Sequence, residues 1–321
     1  MTKTAPLTLI ADIGGTNTRV ALARDGQLLH ETIRRYANAG RPALEPILAE
    51  FIAESGVTGL AGACIAAAGP VRDGVAEMTN LSWVIEDHAV AQVTGTPAVA
   101  LLNDLQAQGY ALGHLAPEMV REILPGAPAR PGASRLVIGV GTGFNAAPVH
   151  EGPGGRIVPP GEAGHITLPC ITESDFRLKA YLEEKHAFAS VEHVVSGRGI
   201  ERVYAYLAGH EEAITPGHEI IAAIGAGDGV ARAAGQLFVE MLGRVTGDLA
   251  LVHLPFGGIY LIGGAARGFV PWFAEFGFDR AMHAKGRFSD FLRAFPVFVI
   301  EDDYAALAGC AAYLAAHLAR S

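Results

Sequence analysis

The spacing of apolar and polar positions changes period several times along this chain, and each change marks an element. LTLIADI (7–13) and TRVALAR (18–24) are short apolar-rich runs joined at Gly14-Gly15-Thr16-Asn17. Asp25-Gly26 is a hairpin signal before QLLHETIRRY (27–36), so 7–36 reads as a three-stranded meander. The pattern then predicts a helix near Pro42–Ser55, a buried strand in LAGACIAAAGP (60–70) and a helical piece near Glu86–Thr94. PAVALLND (97–104) reads as another buried strand ending at Asn103-Asp104.

Pro117–Pro131 is proline-rich and punctuated by glycine, a candidate connection between lobes. RLVIGV (135–140), GTGF (141–144) and NAAPVH (145–150) read as strand, turn and returning strand. That repeats the opening of the chain, which suggests one such hairpin per lobe. Later elements are mostly helical. TESDFRLKAYLEEKHA (172–187) has a threonine N-cap signal, and 228–252 reads as a long helix. GIYLIGGAARG (258–268) is a strand entering a glycine turn, and PVFVI (296–300) is a short strand. An Ala-rich helix closes the chain from Asp302-Asp303, with acid at its start and Arg320 near its end, as the helix dipole favours.

At 321 residues and 50% hydrophobic composition, the chain is large enough for two packed lobes. Its apolar character invites a membrane reading of Leu249–Ala266, but Pro255, Gly257 and Gly258 interrupt that run, so two buried elements joined by a turn are expected. A net charge of −9 argues against a general nucleic-acid or anionic-membrane surface. It leaves phosphate binding open, because backbone N–H groups bind phosphate without lysine. Cys64, Cys170 and Cys310 are widely spaced and form no CxxC pair, which favours three small core residues, no zinc site and a cytoplasmic setting. The N-terminal run is broken by Asp12 and carries no cleavage pattern, so no signal peptide is expected.

Four segments could carry chemistry. In Asp12-Ile13-Gly14-Gly15-Thr16-Asn17 a strand-end carboxylate precedes two glycines that let backbone N–H groups approach an anion; a plain hairpin uses the same residues. Gly141–Ala146 matches GxGxxA, but a dinucleotide fold needs a helix directly after the turn, whereas Pro148 and GPGG (152–155) follow; a hairpin is the better reading. No GxxxxGK[ST] is present. Asn103-Asp104 places a carboxylate where it can take a proton from an attacking hydroxyl, or where it can cap a helix. Glu162 and His165 in GEAGH (161–165), with Glu192 further on, suit hydrogen bonds to vicinal hydroxyls; a metal site or a plain surface loop are the alternatives.

Together and in this order these segments resemble the bacterial glucokinase family, within the actin-like, hexokinase-like superfamily of sugar kinases. ADIGGTNTRVAL looks like its first phosphate motif, VIGVGTGF the second and YLIGGAARG the adenosine-side motif. LLNDLQAQGYAL resembles the catalytic segment; MTNLSW, PPGEAGHITLP and EHVVSGRGI resemble the sugar-binding stretches. The resemblance implies an α/β, two-lobed actin-like/ribonuclease H-like fold: a small α/β lobe of 1–112 plus 303–321, a larger α+β lobe of 113–302, and an active site in the cleft between them. It implies transfer of the ATP γ-phosphoryl group to the 6-hydroxyl of glucose, with Mg²⁺, in a cytoplasmic homodimer serving glycolysis. Asp104 would be the base. Asn80, Asn103, Glu162, His165 and Glu192 would bind the sugar. Asp12, Gly14, Gly15, Thr16, Asn17, Gly141, Thr142 and Gly143 would surround the phosphates, with Asp12 on Mg²⁺ directly or through water. Gly263 and Gly264 would lie near the adenosine. Another hexose, a non-catalytic sugar sensor, or an actin-like ATPase are the rival readings. The Cys-rich zinc motif of the repressor and open-reading-frame branch is absent. One departure stands out: Asn145 follows Phe144 where a small residue is usual, which bears on the phosphate loop or the nearby sugar edge.

Overall fold

The computed structural model describes residues 6–79, 81–209 and 214–320. The chain separates into two compact units: Met1–Ala116 with Gly154–Pro160 and Asp302–Ser321, and Pro117–Pro153 with Gly161–Glu301.

In the first unit, β1 (Leu7–Ile13) and β2 (Asn17–Arg24) form the expected antiparallel hairpin. The third strand of the meander is interrupted. β3 (Gln27–Leu28) and β4 (Arg34–Ala37) both pair with β2, separated by a 3-10 turn at His30–Thr32. Thr32 explains the break: its hydroxyl accepts the N–H of Leu22 (2.9 Å) and donates to the Leu29 carbonyl (2.6 Å), standing in for ladder bonds. Helix α1 (Glu45–Ser55) leads to β5 (Gly62–Ala67), then to a small sheet of β6 (Val71–Arg72), β7 (Val75–Glu77) and β8 (Val84–Glu86). Helix α2 (Asp87–Thr94) leads to β9 (Val99–Asn103) and α3 (Asp104–Ala111). The main sheet runs β3-β2-β1-β5-β9, with β1, β5 and β9 parallel. Its central strands are buried on both faces, which is why they read as unbroken apolar runs. Leu9, Ala11 and Ile13 point into a core with α1 and α2, while Ile10, Cys64 and Ala66 point into another.

In the second unit, the proline-rich stretch contains a strand that its composition concealed. β10 (Val120–Leu124) pairs antiparallel with the last strand of the sheet, so Pro117–Pro131 is only in part a connector. β11 (Arg135–Val140) and β12 (Phe144–Gly152) form the second hairpin. The short β13 (Gly155–Ile157) falls in the segment grouped with the first unit. Helices α4 (Glu173–His186), α5 (Gly197–Ala208), α6 (Gly217–Gly225) and α7 (Gly229–His253) follow. Thr172 and Asp175 form the capping box of α4, as the threonine signal predicts. The apolar run 249–266 divides into the end of α7 and β14 (Ile259–Ile262), turned at Leu254. Among the described residues no helix is long and apolar enough to cross a membrane. α8 (Gly264–Phe269), α9 (Phe278–His283) and α10 (Ser289–Leu292) precede β15 (Val297–Ile300). The sheet is ordered β10-β15-β14-β11-β12, with β11, β14 and β15 parallel. Each unit therefore orders a glycine-turn hairpin and then two parallel strands in the same way, as expected of an internal repeat.

The closing helix α11 (Ala305–Leu318) starts later than the acidic pair suggests; Asp302 instead accepts the Tyr304 N–H at 2.7 Å. It packs on α3 and the sheet of the first unit through Leu307, Cys310, Ala311 and Leu314. The approach is close enough that a Cβ at Gly309 would lie 1.7 Å from the Ala107 carbonyl oxygen. Cys64 and Cys310 are buried, Cys170 is half-buried, and all three are free thiols.

Candidate active site

In the first unit the parallel register aligns Ile13 with Ala67 and Ala67 with Asn103. The glycine turn after β1 and the start of α3 thus share one sheet edge, two strand spacings or about 10 Å apart. Carboxyl ends of parallel strands are where α/β sites gather. Asp12 sits there half-buried, paired with Arg19 at 3.1 Å. Burial raises its pKa, and Arg19 opposes that rise.

The first turn is braced from outside. Gly14 N–H donates to the Asn17 carbonyl (3.0 Å), so that donor is spent on the turn, while Gly15 and Thr16 are exposed. Buried Asn38 holds the loop: its Nδ2 donates to the Gly14 carbonyl (2.8 Å), its N–H donates to the Thr16 carbonyl (2.9 Å), and its Oδ1 accepts from Thr18 (2.8 Å).

Asn103 and Asp104 divide the two uses open to them. Asn103 is the N-cap of α3: its Oδ1 accepts the Leu105 N–H (3.0 Å), its Nδ2 donates to the Gly69 carbonyl (2.9 Å), and Gln106 completes the capping box. The Asp104 carboxylate also accepts the Leu105 N–H, at 2.8 Å. The cap thereby fixes the backbone that carries the candidate base. Asn80 lies outside the described residues.

In the second unit the Gly141–Gly143 turn is followed by a strand, which rules out the dinucleotide reading. Gly141 N–H donates to the Gly143 carbonyl (2.9 Å), and Gly197, at the start of α5, donates to the Gly141 carbonyl (2.7 Å). Thr142 is exposed. Gly263, at φ 109°, backs the same turn, where a Cβ would lie 2.4 Å from the Val140 carbonyl oxygen. Gly264 begins α8.

The fold brings Glu162, His165 and Glu192 together beside this turn. Glu162 and His165 flank and end a 3-10 turn at Ala163–His165, and Glu192 lies in another at Val191–His193. The Val191 N–H donates to the Ile166 carbonyl (3.1 Å), stitching the segments together. Glu192 Oε2 accepts the Phe144 N–H at 2.8 Å. Glu162 and His165 are exposed and Glu192 is half-buried. Among the described residues no cluster of three or more His, Cys, Asp or Glu is arranged to hold a metal ion.

Three contributors escaped sequence reasoning: Asn38 and the stacked imidazoles of His186 and His193, 4.4 Å apart. Asn145, the departure from the motif, bonds to the Gly161–Ala163 loop. His193 Nδ1 accepts the Ser190 N–H (3.1 Å) and so holds the Glu192 turn. Burial, His186, Arg202 and His165 keep the His193 pKa below 6.5 against the pull of Glu192. Only the asparagine in a glycine motif carried any signal in the sequence.

The fold is that of the two-lobed, actin-like sugar kinases. A crystal structure of a glucokinase from an Antarctic psychrotroph matches with a TM-score of 0.83 and 29% identity, over 96% of this chain and 98% of that one. A glucokinase of Mesorhizobium japonicum is 35% identical over 95% of this chain and 90% of its own length. One from Nostoc punctiforme is 34% identical over 95% of this chain and 98% of its own. The glucokinase family model matches residues 9–317, and the chain belongs to the glucokinase family.

Proposed function

We propose that this protein transfers the γ-phosphoryl group of ATP to the 6-hydroxyl of glucose. The observation that carries the reading is the convergence of Glu162, His165 and Glu192 beside the second glycine turn, in a chain that matches the glucokinase family from 9 to 317. Carboxylates repel phosphate and accept from hydroxyls, so this patch suits a neutral polyol.

Phosphoryl transfer asks a protein for position and electrostatics more than for covalent chemistry. Asp104 accepts the proton of the attacking hydroxyl, from a carboxylate held at the start of α3. Glu162, His165 and Glu192 orient the sugar, with Asn103 and Asn80 as further ligands. For Asn103 this role shares an amide that already caps α3. Because Gly14 and Gly141 spend their N–H groups inside the turns, phosphate donors come from Gly15, Thr16, Asn17, Thr142 and Gly143. Gly263 and Gly264 flank the adenosine side.

Mg²⁺, bound with the nucleotide, would supply charge neutralisation at the phosphoryl oxygens, and Asp12 would hold it directly or through water. Asp12 fits it, because Mg²⁺ commonly takes one or two carboxylates and completes its shell with phosphate and water. A cytoplasmic homodimer acting in glycolysis completes the proposal, with sizing chromatography as the test of assembly. The activity test is a coupled assay with ATP and glucose against ATP alone, run beside a panel of hexoses and phosphoryl donors. ATP turnover that glucose leaves unchanged, or sugar binding without turnover, sinks the reading.

A further inference from the structure

Asn145 opens β12 beside the second glycine turn, and its side chain reaches the loop that carries Glu162. Its Oδ1 accepts the N–H of Ala146 (2.8 Å) and of Ala163 (2.9 Å), and its Nδ2 donates to the Gly161 carbonyl (2.6 Å). The amide orientation is set by its partners, since the oxygen faces two donors and the nitrogen faces a carbonyl. The two longer-range bonds fall on the residues immediately before and after Glu162.

The backbones are also pressed together on both sides of that carboxylate. A Cβ at Gly161 would lie 2.8 Å from the Ala146 carbonyl oxygen, and one at Gly164 would lie 2.1 Å from that of Phe144. Glu162 itself makes no capping bond with its side chain and sits at φ −129°, ψ 52°, outside the regular helix and strand regions. Its backbone is therefore held by others, and Asn145 supplies both a donor and an acceptor for the task. Aspartate at 145 would turn an oxygen toward the Gly161 carbonyl, and alanine would leave both loop groups without their partner.

We infer that Asn145 is a positioning residue for sugar recognition: its carboxamide clamps the peptide units flanking Glu162 and so sets where that carboxylate meets the sugar hydroxyl. The inference rests on the kinase reading given above. One side chain thus ties the second glycine turn to the loop that carries Glu162.

The test is steady-state kinetics with glucose and ATP on wild type, Asn145→Ala, Asn145→Asp, Glu162→Gln and the Asn145→Ala/Glu162→Gln double variant. Thermal melts and amide exchange across 161–164 accompany the kinetics. Both Asn145 variants should raise the glucose KM about tenfold or more while the ATP KM stays near wild type. The double variant should be no worse than Glu162→Gln alone, because Asn145 acts through Glu162. The Ala163 amide should exchange faster in Asn145→Ala. An unaltered glucose KM, additive effects in the double variant, or glucose and ATP KM rising together with a lowered Tm would each overturn the inference. A wild type inert toward glucose and ATP would instead sink the kinase reading and take the sugar role of Asn145 with it. An active wild type whose glucose KM Asn145→Ala leaves unmoved sinks this inference alone.

Discussion

The carboxylate of Glu192 accepts the backbone N–H of Phe144 at 2.8 Å, so one residue of the proposed sugar patch also anchors the second glycine turn. The approach is tight: a Cβ at Gly143 would lie 2.5 Å from the same Glu192 oxygen. Any side chain at 143 would have to displace that carboxylate and with it the bond to the Phe144 N–H.

This double duty separates three substitutions. Glu192→Gln keeps an oxygen for Phe144 and loses the charge proposed to meet the sugar; it should cost glucose kcat/KM about 1.5–3 kcal/mol, one to two decades, with the ATP KM little changed. Glu192→Ala should raise both KM values, because the turn loses its anchor. His165→Ala should act on the sugar alone. Separate titrations of glucose and ATP decide the matter, and a Glu192→Ala variant with an unaltered ATP KM would remove the anchoring role.

Asp104→Asn preserves an acceptor for the Leu105 N–H and should fold as wild type. Its kcat should fall by about two to four decades if Asp104 is the general base, with glucose affinity retained. Single-turnover kinetics and direct glucose binding check both halves. Near-wild-type turnover would take Asp104 out of the role.

Acidification should loosen the Glu192 turn. His193 has a native pKa below its ordinary 6.5, chiefly through burial, with His186, Arg202 and His165 adding to it. The unfolded chain therefore binds the proton more readily than the native one. The stabilisation is complete above pH 6.5 and drains away as the pH falls from there toward the lower native pKa. His193→Asn offers an acceptor to the Ser190 N–H without titrating in this range. Melting curves from pH 7.5 to 5 should fall more gently for that variant, and parallel curves would count against the assignment.

Gly309→Ala should destabilise the first unit, since its Cβ would lie 1.7 Å from the Ala107 carbonyl oxygen of α3. Backbone cannot yield as a flexible side chain can, so about 1–3 kcal/mol is expected. Because α3 carries Asp104, kcat should drop along with Tm. A wild-type melting curve would show that α3 and α11 tolerate separation.

Much of the architecture was legible because it is local. The β1–β2 hairpin, the cap of α4 and the break after His253 each follow from residues within a few positions of one another. Legibility failed where a partner strand or side chain overrode composition. β10 is a strand because β15 supplies its ladder, despite the prolines around it. The third strand of the meander is split because Thr32 takes over a bond of Leu22. Asn103 was readable as a cap or as a ligand, and its bond to the Gly69 carbonyl, 34 residues away, came only with the fold.

The sequence by itself determined the two glycine turns, the aspartate at a strand–helix junction and the family, because turn chemistry and strand periodicity are written in neighbouring residues. Tertiary structure alone decided which groups brace them. Asn38 reaches Gly14 across 24 positions, Asn145 reaches Ala163 across 18, and Glu192 reaches Phe144 across 48. A side-chain hydrogen bond of that span leaves no period in the chain. It depends on the meeting of two backbones that are brought together only when their hydrophobic faces are buried in a common core.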